Sequence, residues 1–434
     1  MQPTPQTGRR SKTTRLQTRT ENDLRSLFGE RFQRSGADYV LGTVWPRKLG
    51  EIVALVGIAA REEIPLVPRG AGTSPYAGAI PLVPSIVVSF ERMNRILEID
   101  RDRRLVRVQP GVIWRRLRRK LHSAQLMPCV YPSSEAISTV GGFVAQGGVG
   151  VGSFQYGGVS QTLRSVRLVT GKGVAMTLCG QSLEIVAATE GRTGLLTEVT
   201  VQVQPYAAML PLVALFRNVE MLELCLGDVA RPGLPLWSVC LMDPAAIELG
   251  AGVGRPPVTL PERSYAAVFS CRQVDGRLTL TELRTRVRSA GGWLWPNTAT
   301  HDECVERFMT LQACGTTPIP MQFRLPLGRL AALEQRIPPR IRLDLAYEGV
   351  VADRARCLTL RFFLRNKAAS PRHNFHLALE LLQLVKSLGG EIYATGAYFT
   401  DEADVIYSDG HFERIDRFRA CYDPGNLFNP GKAF

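Results

Sequence analysis

Clustered cysteines are missing from this sequence of 434 residues. Its nine cysteines are scattered, odd in number and nowhere spaced as C-x-x-C, whereas zinc and iron–sulfur sites use closely spaced ligands. We therefore expect reduced thiols, a cytoplasmic location and no metal site. Long apolar runs are also missing, because the longest, 207–216, contains Pro211 and is far shorter than the ~20 residues that cross a bilayer. No transmembrane segment is predicted.

Acidic residues are scarce relative to basic ones, which gives a formal net charge of +14. Residues 101–120 hold nine basic residues and one acidic residue, Asp102, and only Trp114 places an aromatic ring among them. Nucleic-acid binding is therefore disfavoured. The helix expected near 112–121 presents a basic face that is either solvated or a docking surface, and peripheral contact with a membrane stays open as an alternative.

The N-terminal residues 1–20 hold five basic residues and no acidic residue. Although Arg9 and Arg10 form an arginine pair, no apolar run follows them, so a twin-arginine signal is not indicated. We predict a disordered basic tail over 1–20. The rest of the chain is too long for one compact core and predicts at least two domains.

Glycine, in contrast, is concentrated at two places. Residues 139–158 hold eight glycines interspersed with apolar residues, which a polar linker would not show. A second cluster at 68–74 follows the apolar run 64–67, an arrangement that gathers backbone N–H groups around a phosphate. Neither cluster has the third glycine of the dinucleotide fingerprint, so an NAD-type Rossmann fold is disfavoured. We expect both clusters to contact one ligand.

Hydrophobic periodicity predicts an α+β fold. The helices expected in the first part are 46–61 and one that opens at Gly111, and the strands are 64–67, 86–90, 96–99, 105–108, 163–170, 174–178 and 195–203. In the second part we expect helices over 224–231, 278–290 and 377–388 and strands over 341–345 and 362–364. That pattern is compatible with an antiparallel sheet backed by helices.

Six stretches of the chain follow one known pattern in order. They are PRGAGTSPYAGAIP at 68–81, SFERMNRILEID at 89–100, VQPGVIWRRL at 108–117, YPSSEAISTVGGFVAQGGVGVGSFQYG at 131–157, ATEGRTGLLTEVTVQVQP at 188–205 and YDPGNLFNPGKAF at 422–434. These stretches resemble the FAD-linked oxidase superfamily of the vanillyl-alcohol-oxidase and p-cresol-methylhydroxylase (PCMH) type, which includes the glycolate oxidase flavin subunit and D-lactate dehydrogenases.

The resemblance implies a particular domain organisation. A PCMH-type FAD-binding domain of two α+β lobes would span 21–205, and a mixed α+β cap domain over 206–385 would cover the flavin and select the substrate. The C-terminal segment 386–434 would return to the FAD-binding domain.

The resemblance also implies which residues hold FAD. Backbone N–H groups of 69–74 would wrap the pyrophosphate, the 132–157 residues would line the isoalloxazine and ribityl chain, and the strand after Glu190 would hold the adenine side. The full implied set is Pro68, Arg69, Gly70, Ala71, Gly72, Thr73, Ser74, Pro132, Ser133, Ser134, Thr139, Gly141, Gly142, Ala145, Gly148, Tyr156, Gly157, Glu190, Gly194, Leu196, Asn429 and Lys432.

The sequence departs from the family pattern in two ways, which bear on flavin attachment and on the substrate. No histidine lies within 65–80 and no cysteine within 130–158, the loops where some relatives attach flavin, so FAD is expected to be non-covalent. His373 or His376 as a tether stays open. The H-x-G-D-G-N-x-H motif of the 2-hydroxyacid members is absent.

Flavin oxidation of an alcohol needs a group that takes up the hydroxyl proton, and a cation if the substrate is an acid. Tyr398, Arg361 and His376 are the preferred catalytic candidates. We predict an FAD-dependent oxidoreductase that oxidises a small hydroxylated substrate, preferably a 2-hydroxyacid, by hydride transfer to flavin N5. An iron–sulfur or other electron-transfer subunit, a quinone or oxygen would accept the electrons. The alternatives are a polyol or sugar oxidase, a flavin reductase, and a non-catalytic electron-transfer subunit.

Overall fold

The computed structural model describes residues 16–35, 37, 39–231, 234–251, 263–272, 276–296, 301, 321–354, 356–365, 370–406 and 409–432. Three sheets organise this part of the chain, two in the N-terminal domain and one in the cap. Helices pack on each of them, so the predicted α+β class is confirmed.

A four-stranded sheet forms the first lobe of the N-terminal domain. Its strands, in spatial order, are β1 (Phe32–Arg34), β2 (Val40–Val44), β4 (Ser85–Ser89) and β3 (Leu66–Arg69). Because β2, β4 and β3 run parallel, the chain must cross over between β2 and β3, and α2 (Leu49–Arg61) makes that crossover. The predicted helix over 46–61 is confirmed, although it begins three residues later.

The first helix corrects part of the predicted tail. α1 (Thr18–Phe28) begins inside 1–20 and buries Leu24 and Phe28 against the first lobe. Residues 18–20 are therefore helical, and 1–15 lie outside the described residues.

The second lobe is built on an antiparallel sheet. Its strands are β5 (Ile96–Asp100), β6 (Leu105–Val108), β10 (Leu195–Pro205), β8 (Leu163–Val169) and β9 (Ala175–Cys179), with β7 (Leu126–Pro128) beside β10. The predicted hairpin and strands are confirmed within one or two residues. α3 (Trp114–Ser123) buries Trp114, Leu117 and Leu121 and leaves its basic side outward.

The glycine-rich stretch 139–158 is more regular than the sequence indicated. It contains α4 (Val140–Ala145) and α5 (Ser153–Tyr156), and α6 (Val159–Thr162) follows. Gly152 starts α5 from a left-handed conformation with φ +88°, which a side chain rarely adopts. The glycines therefore serve tight turns between short helices as well as close packing.

An eight-stranded antiparallel sheet forms the cap. Its strands, in spatial order, are β14 (Trp293–Trp295), β11 (Met209–Phe216), β13 (Tyr265–Arg272), β12 (Leu236–Met242), β16 (Leu345–Ala352), β17 (Cys357–Leu364), β15 (Gln322–Pro326) and β18 (Glu391–Ile392). Among the described residues, the helices of the cap are α7 (Val219–Val229), α8 (Pro244–Ala251), α9 (Gly276–Ser289), α10 (Leu330–Arg336), α11 (Pro339–Arg342) and α12 (Pro371–Ser387).

Two expectations for the second part need correction. The strand predicted over 341–345 is wrong, because Pro338 and Pro339 start the short helix α11 and the strand begins only at Leu345. The segment 386–434 also does not return at once to the first domain, since β18 extends the cap sheet beside β15. The chain then forms α13 (Ala403–Ile406) and α14 (Asp409–Tyr422), and Phe428 reaches β3 of the first lobe.

A buried aspartate in the cap makes stability depend on pH. Oδ1 of Asp243 accepts the N–H groups of Ala246 (2.7 Å) and Tyr347 (3.0 Å), and burial raises the pKa of this carboxyl to about 7. The folded protein then binds a proton more tightly than the unfolded chain, so the free energy of unfolding falls as pH rises from about 4 to 7.

Asp243→Asn tests this effect because it keeps the accepting oxygen and removes the titration. Between about pH 5 and pH 8, the Tm of the variant should fall less than that of the wild type. Thermal melts of both proteins in the same buffers check the prediction, and parallel pH dependences would contradict it.

Candidate functional site

A cleft lies where both lobes of the N-terminal domain meet the cap sheet. It holds about 1250 Å³ of empty space, its open mouth included. Most of the predicted cofactor residues line it. They are Pro68, Arg69, Gly70, Ala71, Gly72, Thr73, Ser74, Pro132, Ser133, Ser134, Thr139, Gly141, Gly142, Ala145, Glu190, Gly194 and Leu196.

The loop over 69–74 follows strand β3 and offers bare peptide groups to the cleft. In the described part of the chain, none of the N–H groups of residues 70–74 donates a hydrogen bond to another group of the protein. Backbone N–H groups need partners, and a row of them in one loop is suited to an anion. The Arg69 guanidinium, which lies beside Gly72, adds positive charge.

Hydroxyl groups join this loop to the second glycine cluster. Thr73 Oγ1 lies 3.1 Å from Ser138 Oγ, and Ser138 Oγ lies 2.6 Å from Ser134 Oγ. Gln146 Nε2 donates to Ser74 Oγ at 2.7 Å. The two clusters therefore form one wall, as the sequence led us to expect.

Close packing explains why two positions of this wall are glycine. A Cβ on Gly70 would lie 2.2 Å from Thr139 Oγ1, the atom that accepts the Gly142 N–H and caps α4. A Cβ on Gly141 would lie 2.5 Å from a carbon of Pro110. A side chain at Gly70 would push the two clusters apart, and one at Gly141 would push the second cluster away from Pro110.

Five predicted cofactor residues lie outside the cleft lining. Gly148 packs on Phe143, Gly157 lies beside Gln161 and Asp353, and Tyr156 donates to Gln204 at 3.0 Å. The remaining two bind the segment that follows the loop over 69–74. Lys432 Nζ donates to the carbonyls of Ala77 (2.9 Å) and Gly78 (2.5 Å), and Asn429 Nδ2 donates to the Gly78 carbonyl at 2.9 Å.

The cap sheet contributes Gln322, Arg361 and Tyr393 to the cleft. Arg361 donates to Glu348 (3.4 Å) on one neighbouring strand and to Gln322 (3.3 Å) on the other. Tyr393 follows β18, and its Oη accepts the N–H of Val149 at 2.9 Å. Burial raises the pKa of the Tyr393 phenol, which therefore stays protonated at neutral pH.

The three predicted catalytic residues are not brought together. Arg361 lines the cleft, whereas His376 is exposed on α12 and Tyr398, with 38% of its surface exposed, is not part of the lining. Sequence reasoning missed Tyr393 and Gln322. Tyr393 lies only five residues before Tyr398 in the same stretch, but a two-residue strand cannot be recognised from periodicity. No group of three or more metal-ligating side chains occurs among the described residues.

Some of the basic residues of α3 bind other residues of the same domain. Arg118 forms two hydrogen bonds of 2.8 Å with the buried carboxylate of Glu135, Arg115 lies 3.7 Å from it, and Arg116 donates to the Asn94 carbonyl. Arg119 and Lys120 are exposed. Among the helices in the described ranges, none combines the length and apolarity needed to cross a membrane.

Comparison with known proteins gives consistent matches. A family model described as an FAD binding domain matches residues 40–178. The glycolate oxidase subunit GlcD of Bacillus subtilis (strain 168) is 27% identical over 432 residues, which cover 90% of this chain and 88% of GlcD. A D-lactate dehydrogenase of Archaeoglobus fulgidus is 24% identical over 439 residues, which cover 92% of each chain.

Solved structures show the same fold at low identity. p-Cresol methylhydroxylase with substrate bound has a TM-score of 0.79 at 16% identity, covering 96% of each chain. An alkyldihydroxyacetonephosphate synthase has a TM-score of 0.75 at 16% identity, covering 96% of this chain and 85% of the synthase. The expected PCMH-type fold is confirmed.

Proposed function

Because this chain is a flavoprotein of the FAD-linked oxidase superfamily, we propose that it oxidises a small 2-hydroxyacid at its CH–OH group. Bound FAD would supply the hydride acceptor, its N5 atom. The protein would bind and orient the acid between the glycine-rich wall and the cap sheet.

The residues of the cleft fit FAD. The N–H groups of 70–74 lack hydrogen-bond partners among the described residues, and Arg69 adds a cation, so a pyrophosphate would satisfy the loop. Gly70 and Gly141 are packed too closely against Thr139 and Pro110 to carry a side chain, and both line the cleft. Lys432 and Asn429 bind the carbonyls of Ala77 and Gly78, which follow this loop in the chain.

The observation that carries the substrate proposal is the position of Arg361. Arg361 lines the cleft from the cap sheet, where its guanidinium can pair with a substrate carboxylate. The protonated Tyr393 phenol, whose oxygen accepts the Val149 N–H, can donate its own proton in a hydrogen bond to the substrate oxygen. Together they would fix the acid at one end and its reacting carbon at the other.

The names of the relatives support the same class. Glycolate oxidase, D-lactate dehydrogenase and the D-2-hydroxyglutarate dehydrogenase of Stutzerimonas stutzeri are all named for 2-hydroxyacids. GlcD is named as a subunit, which supports an electron-transfer subunit as the electron acceptor. A quinone and oxygen are the other candidate acceptors.

A neutral hydroxylated substrate, such as a polyol or sugar, is the second candidate. Glu348 lies 3.4 Å from Arg361 and partly compensates its charge, and no histidine is among the residues that line the cleft in the described part of the chain. Both features favour a substrate without a carboxylate.

Anaerobic mixing of the FAD-loaded protein with substrates separates these possibilities. Glycolate, D-lactate and D-2-hydroxyglutarate should bleach the visible flavin absorbance, whereas polyols should not. Bleaching by polyols alone would support the second candidate. If no compound bleaches the flavin while dithionite does, a non-catalytic electron-transfer role replaces both.

Non-covalent attachment of FAD is part of the proposal. The cleft lining contains neither histidine nor cysteine among the described residues, and His373 and His376 are exposed on α12. Acid precipitation of the yellow protein should therefore leave the flavin in the supernatant, as checked by its absorbance. Flavin that stays with the pellet after washing would show a covalent bond.

A further inference from the structure

Glu190 joins three other segments of the chain. Its backbone N–H donates to the Ala145 carbonyl at 2.8 Å, and its backbone carbonyl accepts from Asn429 Nδ2 at 2.8 Å. Its side-chain Oε1 accepts the Gly396 N–H (3.0 Å) and the Thr395 hydroxyl (3.3 Å). The second glycine cluster, the C-terminal tail and the loop after β18 therefore all meet at this residue.

The other carboxylate oxygen of Glu190 has no hydrogen-bond partner among the described residues. Oε2 is buried and accepts no hydrogen bond from them, although Glu190 is one of the residues that line the cleft. A buried carboxylate oxygen without a donor costs free energy, so a donor is expected from beyond the described residues. The cleft is where such a donor would arrive.

The backbone around Glu190 is tightly constrained, so a ligand that contacts this residue can affect the segments that Glu190 binds. Glu190 has φ +54°, a strained conformation for a residue with a side chain. Gly396 has φ +54°, and a Cβ there would lie 2.0 Å from the Tyr76 carbonyl, so its loop sits directly against the segment after 69–74. The Ala397 N–H donates to the same Tyr76 carbonyl at 2.9 Å.

We propose that the Glu190 carboxylate is shared between cofactor and cap: Oε2 accepts a hydrogen bond from an N–H or O–H group of bound FAD, while Oε1 holds the loop 395–397. FAD occupancy and docking of that loop are then coupled, and each strengthens the other by the same factor. The loop directly follows Tyr393, so the coupling connects FAD binding to the cap side of the cleft.

The inference rests on FAD binding and not on the identity of the substrate. Its tests measure binding and exchange, so they can succeed whether or not a 2-hydroxyacid is oxidised. Conversely, if no substrate bleaches the flavin, the proposed role of Glu190 in FAD binding is unaffected.

The first test is the affinity of flavin-free protein for FAD, followed by flavin fluorescence. Glu190→Gln replaces one of the two carboxylate oxygens with an amide NH₂ group, which is itself a donor. At the Oε1 position it would face the Gly396 N–H and the Thr395 hydroxyl, and at the Oε2 position it would face the donor of FAD. We expect FAD to bind about 10- to 100-fold more weakly. Glu184→Gln is the matched control, because Glu184 is exposed, pairs with Arg414 and lies six residues before Glu190. Its affinity should equal that of the wild type.

The second test uses the wild-type protein and does not depend on a variant. FAD should slow hydrogen–deuterium exchange of the amides of 395–397, and Glu190→Gln should lose most of this added protection. Titration with ADP and with FMN tells which half of FAD carries the donor. Wild-type FAD affinity in Glu190→Gln, or unchanged exchange at 395–397 when wild-type protein binds FAD, would overturn the proposal.

Discussion

Gly72→Asp should weaken FAD binding by at least about 100-fold. Gly72 has φ +67°, where a side chain costs ~1–2 kcal/mol, and its Cβ would lie 2.9 Å from the Arg69 guanidinium. The new carboxylate would pair with Arg69 and repel the pyrophosphate, which removes a charged hydrogen bond worth about 1.5–3 kcal/mol. Titration of the flavin-free variant with FAD measures the loss.

Three variants separate the causes of this effect. Gly72→Ala adds strain without charge and should lose less affinity than Gly72→Asp. Gly57→Asp adds the same charge at an exposed position of α2, where no atom lies within 4 Å of the new Cβ. Gly57→Ala should bind FAD normally and be stabilised by a few tenths to ~1 kcal/mol. Wild-type affinity in Gly72→Asp would show that the loop over 69–74 does not hold the pyrophosphate.

Arg361→Gln should raise the KM for the 2-hydroxyacid about 100-fold and leave FAD bound. The arginine would lose a charge-assisted hydrogen bond to the substrate carboxylate, a contact made in the ground state as well as in the transition state, so KM changes more than kcat. Stopped-flow flavin reduction over a range of substrate concentrations separates the two.

The loss of Arg361 also leaves Glu348 without one of its partners. The double variant Arg361→Gln, Glu348→Gln removes both charges and should show the same KM effect with a Tm closer to the wild type. Arg365→Gln removes a surface ion pair with Glu248 just after the same strand and should leave KM unchanged. A KM within threefold of wild type in both Arg361 variants would exclude Arg361 as the carboxylate partner.

The first domain could be predicted well from the sequence because its elements are long and periodic. α2 buries Ile52, Leu55, Val56 and Ala59, the i, i+3, i+4, i+7 spacing typical of an amphipathic helix. The two glycine clusters also indicated one site, because backbone that approaches a ligand closely requires glycine, and glycine can be read from the sequence.

The residues that the cap sheet contributes to the cleft could not be predicted from the sequence. Gln322 and Arg361 become neighbours only through antiparallel pairing of strands far apart in the chain, and that register has no local signal. Tyr393 is placed by the two-residue strand β18, too short for any periodicity. Tyr398, five residues later, was predicted to be catalytic but is exposed.

The most direct test of the account is an equilibrium titration of the flavin-free, full-length protein with FAD. If the unpartnered amides of 70–74 and the oxygen of Glu190 are a dinucleotide site, the protein should take up one FAD per chain, turn yellow, and melt at a higher temperature as FAD is added. A protein that stays colourless and melts at the same temperature with and without FAD would contradict the account.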